Sequence, residues 1–283
     1  MKKILSLITS VAVLTVMIAS LGACSGGSSG KVKYIDIKLT DEQYAFAVNP
    51  SDTELLDAAN ELLAEIKQDG TFDKIVNKYF NNEGEPTGYE AGVQDSSKDQ
   101  LIVATNTPFS PFEYKEGNLF YGVDIEIAAM LAEKLGQELV IIDMEFEAIL
   151  TAVNTGNADI GMAGLTVSPD REELVAFTEP YYEASQVVIV REEDDTFDSC
   201  KTVEDVEAIL SGYDSSVKIG VQTGTTGQLY VEGDEDWGFE GFDADCAGYE
   251  SAASAVNDML NGNLSLVVVD EAPAMNIVEA ING

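Results

Sequence analysis

The sequence predicts an α/β protein with two similar lobes, and three observations support this class. From residue 101 onward, apolar runs of strand length alternate with amphipathic runs of helix length, the order of a parallel sheet covered by helices. Residues 149–166 and 255–272 both run helix, Gly-Asn turn, small-residue strand and polar loop, so we expect two lobes rather than one continuous sheet. Apolar residues make up 45% of the chain, which supplies a core and excludes wholesale disorder.

The first 24 residues have the pattern of an export signal. Lys2 and Lys3 precede an uncharged apolar run, and small residues lead to Cys24. This pattern predicts a secretory signal peptide over 1–23, because the apolar run is short for the alternative, a transmembrane anchor. The ending "LGAC" resembles a bacterial lipobox, so we expect Cys24 to be lipidated and residues 24–30 to form a flexible tether.

Residues 31–99 predict two strands, two helices and a linker. Residues 31–39 alternate polar and apolar side chains, and 44–48 form a second, short strand. The first helix ends at Gly70, and its apolar face consists of Leu55, Leu56, Ala59, Leu62, Leu63 and Ile66. Thr71 caps the second helix. The polar run 81–99 has almost nothing to bury and therefore reads as a linker.

The rest of the chain alternates between the two element types. We expect strands at 101–106, 138–144, 158–164, 217–222, 239–246 and 264–270, and helices at 122–136, 146–156, 228–233, 251–263 and 271–283. Ser168 as N-cap and Pro169 at the first helical position predict a further short helix. Residues 181–192 lead from the first series of elements into the second.

Charge and missing residue types exclude several functions. The formal net charge of −36 opposes binding to nucleic acid and anionic lipid. Because the chain has no histidine, Ser-His and Cys-His catalysis and histidine-ligated metal sites are excluded, and we expect no metal and no cofactor. Cys200 and Cys246 remain open between a disulfide and two buried free thiols.

Four stretches carry a resemblance to a known family: "VATNTPFSPFEYKEGNLFYGVDIEIAAMLAEKLG", "ILTAVNTGNADIGMAGLTVSPDREELVAFTEPYYEA", "KIGVQTGTTGQLY" and "NLSLVVVDEAPA". They resemble the polar amino-acid-binding proteins of bacterial ABC importers, the family 3 extracellular solute-binding proteins that include the glutamine- and histidine-binding proteins. The resemblance implies a two-lobed periplasmic-binding-protein-like (type II) fold whose two hinge crossings let the lobes close over a ligand.

The order of the segments departs from this family. The stretch 31–80 resembles the family's last segment but precedes all the others, so the chain resembles a circularly permuted member. Lobe one would then comprise 44–181, including the linker 81–99, and lobe two would comprise 31–43 and 186–283. A flexible linker of this length spans roughly 25 Å on average, enough to join two ends of one lobe. The alternative is an unrelated N-terminal domain fused to a truncated binding protein, but about 50 residues make a small core.

Arg171 is the candidate for binding a ligand carboxylate. A buried carboxylate requires a strong cationic partner, and the chain has only two arginines. Arg191 lies among acids that would neutralise it, whereas Arg171 lies in the first turn of the helix capped by Ser168, where free N–H groups also favour an anion. Arg171 also matches the carboxylate-binding arginine of the family.

Position and resemblance together give the remaining ligand contacts. Gly164 and Thr166 lie just before the helix of Arg171, and Thr225 and Thr226 lie in the turn "GTTG", so these four residues would donate further hydrogen bonds. Asp270, at the end of an apolar strand, matches the aspartate that binds the amino group, assisted by the Ala163 carbonyl; its alternative role is to cap the following helix. The other matching positions are two walls around the ligand side chain, Phe109 and Phe146, and two polar groups at its end, Asn106 and Gln222.

Together these residues predict a protein that captures a free amino acid. Because Asn106 and Gln222 are neutral, we expect a ligand with a polar, uncharged side chain. We expect an exported, lipid-anchored monomer that delivers this ligand to the membrane subunits of an ABC importer. Two alternatives remain: an enzyme on the same scaffold, similar to prephenate or arogenate dehydratase, or a ligand-sensing domain.

Overall fold

The computed structural model describes residues 30–283. The predicted signal peptide, Cys24 and the tether up to residue 29 lie outside the described residues. The strands are β1 (Val32–Ile35), β2 (Glu42–Tyr44), β3 (Ala47–Val48), β4 (Tyr89–Glu90), β5 (Gln100–Thr105), β6 (Tyr114–Glu116), β7 (Leu119–Tyr121), β8 (Glu138–Asp143), β9 (Ile160–Gly161), β10 (Ala176–Phe177), β11 (Tyr182–Ala184), β12 (Gln186–Arg191), β13 (Lys218–Gln222), β14 (Asp245–Tyr249) and β15 (Leu266–Asp270). The helices are α1 (Thr53–Gln68), α2 (Thr71–Phe80), α3 (Val123–Leu135), α4 (Ile149–Asn154), α5 (Pro169–Glu172), α6 (Val203–Leu210), α7 (Thr226–Glu232), α8 (Ala252–Leu260) and α9 (Glu271–Asn282), and the predicted α/β class is confirmed.

One five-stranded sheet, here called sheet I, has the strand order β10-β3-β9-β5-β8. Strand β5 is parallel to β8 and β9, while β3 is antiparallel to β9 and β10. Helices α1, α2 and α3 share one apolar core with this sheet, which includes Leu63, Ile75, Leu101 and Leu131. The two helices from the start of the chain therefore pack on the sheet that also carries the 101–177 segment.

The second five-stranded sheet, sheet II, has the strand order β1-β12-β15-β13-β14. Strand β13 is parallel to β14 and β15, whereas β12 is antiparallel to β1 and β15. Apolar clusters cover both faces of the sheet, one around Phe197 and Tyr230 and the other around Val256 and Met259. Strands buried on both faces explain the continuous aliphatic runs at 187–190 and 266–269.

Two chain crossings between the sheets lie side by side. Strand β2 pairs antiparallel with β11, with Tyr44 opposite Tyr182 and Glu42 opposite Ala184. Beyond them, β1 begins next to the end of α9: the Val32 N–H donates to Asn282 Oδ1 at 3.1 Å, and Asn282 Nδ2 donates back to the Val32 carbonyl at 2.8 Å. The bounds proposed for the two lobes stay predictions.

Local sequence explains the helix ends. Asp52 caps α1 by accepting a hydrogen bond from the Leu55 N–H at 3.0 Å, and the predicted apolar face of α1 is buried except for the half-buried Leu56. Gly70 adopts a left-handed conformation with φ 79° between α1 and α2 and is itself the N-cap of α2. Thr71 is therefore the first residue of α2, and its prediction as the cap was wrong by one position.

Several predicted elements need correction because tertiary packing overrides local pattern. The linker is not free of structure: β4 pairs with β7, and Tyr89 and Ala91 pack against a small core around Phe120 and Ile141. The predicted strand 239–246 is mostly loop, since strand β14 begins only at Asp245. Within residues 30–283, no helix combines the length and the apolar character that crossing a membrane requires.

Candidate functional site

Arg171 lies buried where sheet I meets sheet II. Ser168 and Pro169 start α5 as predicted, and the Arg171 side chain is only 5% exposed. Its Nη1 donates to the Thr166 carbonyl at 2.8 Å, and its Nη2 donates to the Gly224 carbonyl across the junction at 3.1 Å. Among the described residues no ion pair includes Arg171. A buried guanidinium without a carboxylate partner is suited to receive one from a ligand.

The Arg171 guanidinium also lies against an aromatic ring. Its central carbon is 5.6 Å from the centre of the Phe146 ring, within the range of a cation–π contact. Burial lowers the pKa of Arg171, while the negative charges of Asp170, Glu42 and Asp270 act in the opposite direction. The guanidinium therefore remains charged and is held in one orientation by two carbonyls and one ring.

Asp270 lies at the end of β15, on the opposite side of the junction. It is 7% exposed and accepts a short hydrogen bond from the Tyr44 hydroxyl. Burial and the nearby Glu42 carboxylate together raise the pKa of Asp270 to about 7, against the opposing effect of the hydrogen bond from Tyr44. Asp270 is in the N-cap position of α9, yet its side chain makes no capping hydrogen bond there.

Asn106 and Gln222 join the two sheets at the carboxyl ends of β5 and β13. Gln222 Nε2 donates to Asn106 Oδ1 at 2.8 Å, and Asn106 Nδ2 donates to the Met144 carbonyl at 2.7 Å. Both side chains are buried. Ligands of α/β proteins commonly bind beyond the carboxyl ends of parallel strands, which is where these two neutral amides lie.

Phe109 and Gly164 pack tightly on the sheet I side. The Phe109 ring centre is 6.4 Å from that of Tyr44. Gly164 has φ 54°, and a Cβ there would lie 2.6 Å from the Phe109 ring, so the position requires glycine. The Gly164 N–H donates to Asp124 Oδ2 at 3.0 Å and is therefore engaged within the protein rather than free for a ligand. Ala163, before it, is buried.

The loop before α7 brings sheet II residues to the same junction. Thr225 is the N-cap residue of α7, and its hydroxyl donates to the Gln222 carbonyl at 2.7 Å. The buried Thr226 hydroxyl has no hydrogen-bond partner within residues 30–283. Gly224, with φ 79°, lies so near Glu147 that an added Cβ would be 3.0 Å from the Glu147 Cβ. The loop thus contacts the sheet I side closely and leaves one hydroxyl available.

Two segments of the chain, residues 6–82 and 101–261, match the family model of bacterial extracellular solute-binding proteins, family 3. The chain belongs to this family. The resemblance in sequence is thereby confirmed, and the two sheets joined by two crossings agree with the fold it implied.

Similarity to individual members of the family covers part of each chain. The arginine-binding extracellular protein ArtP of Bacillus subtilis (strain 168) is 37% identical over 99 residues, 35% of this chain and 39% of ArtP. A probable histidine-binding protein of Neisseria gonorrhoeae is 29% identical over 182 residues, 62% of this chain and 61% of that protein. A solved ancestral arginine-binding protein bound to glutamine has a TM-score of 0.53 and 30% identity, covering 65% of this chain and 74% of that chain.

Sequence reasoning missed three polar residues of this family 3 protein. Glu42, Gln186 and Tyr44 are all buried at the junction, and Glu42 accepts a hydrogen bond from the predicted site residue Thr166 at 2.7 Å. A signal was present, because β2 alternates buried Glu42, exposed Gln43 and buried Tyr44, the period of a strand with one covered face. From sequence alone, however, Glu42 falls between the two predicted strands, 31–39 and 44–48.

The structure also places Cys200, Cys246 and Arg191. Cys200 and Cys246 are both free thiols, so of the two alternatives the structure has the unbonded one, and burial raises the pKa of Cys246 to about 12. Arg191 does not pair with its neighbouring acids as expected. Its Nη2 donates to the Met259 and Leu264 carbonyls, the latter at 2.8 Å, which places it away from Arg171. No group of three or more His, Cys, Asp or Glu within residues 30–283 is arranged to hold a metal ion.

Proposed function

We propose that this family 3 protein captures a free amino acid outside the cytoplasm and delivers it to an ABC importer. The observation that carries the proposal is the pair formed by Arg171 and Asp270, a buried guanidinium without an acid partner and a buried carboxyl, on opposite sides of the junction between the sheets. An α-amino acid carries one anionic and one cationic group on the same carbon, so it complements this pair. The relatives named for arginine and histidine binding support the same class of ligand.

Each part of the ligand has a candidate partner. Its carboxylate would accept hydrogen bonds from the Arg171 guanidinium and from the unpartnered Thr226 hydroxyl. Thr166 and Thr225 would only border it, because their hydroxyls already donate to Glu42 and to the Gln222 carbonyl. Its ammonium would bind Asp270. Its side chain would lie between Phe109 and Phe146 and end at Asn106 and Gln222, which would exchange their mutual hydrogen bond for bonds to the ligand.

A polar, uncharged side chain fits this end best. Asn106 and Gln222 offer both donors and acceptors but no charge, and a buried charged group without a counter-charge is costly. A solved relative, the ancestral arginine-binding protein, was bound to glutamine, so a scaffold of this kind accepts a neutral amino acid. We therefore propose glutamine-like ligands, with arginine, lysine and histidine as the competing class.

A thermal-shift screen of the purified chain over the twenty free amino acids tests the function. A ligand at 100 times its Kd stabilises the protein by about 2.7 kcal/mol, which is readily measured. Stabilisation by neutral polar amino acids supports the proposal, and stabilisation by cationic ones alone contradicts the side-chain class. Lack of response to every amino acid contradicts the function. Recovery of chemically unchanged ligand from the same samples distinguishes a binding protein from the dehydratase-like enzyme.

We also propose that the chain is circularly permuted and lipid-anchored through Cys24, as a monomer. The reciprocal hydrogen bonds between Val32 and Asn282 support the permutation, because they place the start of 31–80 beside the end of the chain. Because the net charge of −36 repels an anionic membrane, the protein would attach through its lipidated tether and not through its surface.

A further inference from the structure

Glu42 is a buried acid whose hydrogen bonds all come from neutral groups. It lies on β2 with 4% exposure. Its Oε1 accepts bonds from the Thr40 hydroxyl at 2.6 Å and from Gln186 Nε2 at 2.9 Å, and its Oε2 accepts one from the Thr166 hydroxyl at 2.7 Å. No ion pair between residues 30 and 283 includes Glu42.

Glu42 and Asp270 approach each other although they come from opposite ends of the chain. Gln186 lies directly opposite Asp270 in the pairing of β12 with β15, and the same Gln186 amide donates to Glu42. The proximity is also electrostatic, because Glu42 is the largest charged contributor to the raised pKa of Asp270. Two carboxyl groups are thus buried around one amide, next to the residues that form the proposed amino-acid site.

The side-chain amide of Gln186, between Glu42 and Asp270, has an oxygen without a hydrogen-bond donor among the described residues. Gln186 is 1% exposed, and its Oε1 has no hydrogen-bond partner among the residues that the structure describes. An ammonium group has three N–H donors and no acceptor. Two carboxylates are the complement of such a group, and the Gln186 Oε1, which packs against Gly227 of α7, lies beside them. Arg171, a buried cation nearby, donates its two hydrogen bonds to backbone carbonyls instead.

We propose that Glu42 is a second carboxylate of the ammonium subsite, sharing the ligand's α-amino group with Asp270. This inference rests on the proposed capture of an amino acid. Two adjacent buried carboxylates repel each other, and a cation between them removes the repulsion, so the pair favours ligands with an α-ammonium over carboxylic acids without one. Glu42 thereby helps the protein to select amino acids over carboxylic acids that lack an amino group. It also accepts hydrogen bonds from Thr166 and Gln186, which connects these two residues at the chain crossing.

Calorimetric titration of two probes tests this role. The probes are L-glutamine and 4-carbamoylbutanoate, which is glutamine without its α-amino group; if another free amino acid gives a larger thermal shift, it and its deaminated acid replace them. Glu42→Gln should lower the affinity for the amino acid by about tenfold or more and change the affinity for the deaminated acid by no more than about twofold. Asp41→Asn is the matched control, because Asp41 precedes Glu42 in the chain but is exposed. It should change neither affinity.

Three other results would overturn the proposal. Equal weakening of both probes by Glu42→Gln would mean that Glu42 only holds the crossing in place. Unchanged affinity for the amino acid would mean that Asp270 binds the ammonium without it. If Glu42→Gln does not fold, Glu42→Thr provides a second neutral variant, and failure of both to fold assigns Glu42 a structural role. If no amino acid binds the unaltered chain, the proposed function itself is wrong, which the thermal-shift screen shows before any variant is made.

Discussion

The hydroxyl of Tyr44 donates a hydrogen bond to the carboxyl of Asp270, a residue 226 positions later in the chain. Tyr44 ends a strand that crosses between the sheets, and Asp270 ends a strand of sheet II. The bond stabilises the ionised form of Asp270, the form that binds an ammonium, whereas burial and Glu42 favour the protonated form. The pKa of the Asp270 carboxyl, about 7, therefore lies close to neutral pH, so small changes in pH alter the charge of the proposed ammonium subsite.

Ligand affinity should fall as the pH is lowered below about 7, the pKa of Asp270. A bound ammonium requires the ionised carboxyl, so below that pKa each pH unit should weaken binding about tenfold, as measured by calorimetry with an amino acid whose side chain does not titrate. Histidine cannot produce the transition, because the chain has none. The charges that act on Asp270 are those of Glu42, of Glu113 from the loop after β5 and of Arg171, and the Tyr44 hydroxyl donates a hydrogen bond to it.

Tyr44→Phe and Asp270→Asn are the informative variants for this profile. Tyr44→Phe removes a donor that lowers the pKa of Asp270, so its profile should shift to higher pH. Asp270→Asn should bind weakly, with a much flatter profile over the same range. A wild-type affinity that is constant from pH 5 to 8 would contradict the assignment of the ammonium to Asp270.

The two arginines provide a matched comparison. Arg171→Ala should weaken binding by at least about 2 kcal/mol, because a buried carboxylate would lose its cation, and Arg171→Lys should also weaken it, since an ammonium cannot form two parallel bonds. Arg191→Ala removes hydrogen bonds to backbone carbonyls far from the site and should change stability rather than affinity. Titration showing equal losses of affinity for Arg171→Ala and Arg191→Ala would exclude the carboxylate role of Arg171.

The ligand-free protein should be more stable in mild acid than at pH 8. Burial raises the pKa values of Asp124 and Asp270 to about 7, so the native state retains protons that unfolded carboxyls release near pH 4. The free energy of unfolding therefore decreases as the pH rises between these values. Below that window stability should be lost again, because hydrogen bonds lower the pKa values of exposed acids such as Asp95 and Asp214.

Thermal unfolding from pH 3 to pH 8 measures this profile. Asp270→Asn, which does not titrate, should reduce the decrease between pH 5 and pH 8. A melting temperature that rises steadily to pH 8 in the unaltered chain would show that the two buried carboxyls do not retain their protons.

Periodic elements were predictable from sequence, and contacts between distant segments were not. The apolar face of α1 and the runs that form β5, β8 and β15 follow from spacing alone, because burial repeats with the period of each element. The pairing of β4 with β7 has no local signal, since two residues of a polar stretch gain order only from a partner about 30 positions away. The loop at 239–244 likewise depends on a contact that its own sequence does not indicate, because Phe239 and Phe242 pack on Tyr230.

The site was predictable where a residue type is rare or a position special. Arg171 stands out because the chain has only two arginines, and Asp270 because it ends a wholly apolar strand. Phe109, Phe146, Asn106 and Gln222 came only from the family resemblance. Glu42 was missed because one acid among 51 aspartates and glutamates carries no mark of burial until a partner strand covers it.

A reordered chain tests the permutation. Residues 84–283, followed by three glycines and then by 31–83, should fold and bind the same amino acid, because Val32 and Asn282 are already hydrogen-bonded and the new loop is short. The segment from 84 onward is retained because Tyr89 and Ala91 pack on the core around Phe120. The natural-order chain with three glycines inserted after Gly84 is the control. An unfolded reordered chain beside a folded control would refute the permutation.

Cys24→Ala tests the anchor. In cells, this variant should be exported but released from the membrane, with the affinity of the purified protein unchanged, because the tether precedes the first strand at Val32. Fractionation followed by immunoblotting measures the distribution. Retention of the variant in the membrane fraction after signal cleavage would show that lipid on Cys24 does not hold the protein.

The two reciprocal hydrogen bonds between Val32 and Asn282 also determine how the molecule would resist a mechanical force. Because the two described ends of the chain meet on sheet II, a force applied between them is borne first by the two Asn282 hydrogen bonds and then by the short pairing of β1 with β12. Sheet I and the junction between the two sheets lie outside that path. A ligand held between Arg171 and Asp270 would therefore leave the first rupture force unchanged in a single-molecule pulling experiment, although it stabilises the protein against heat.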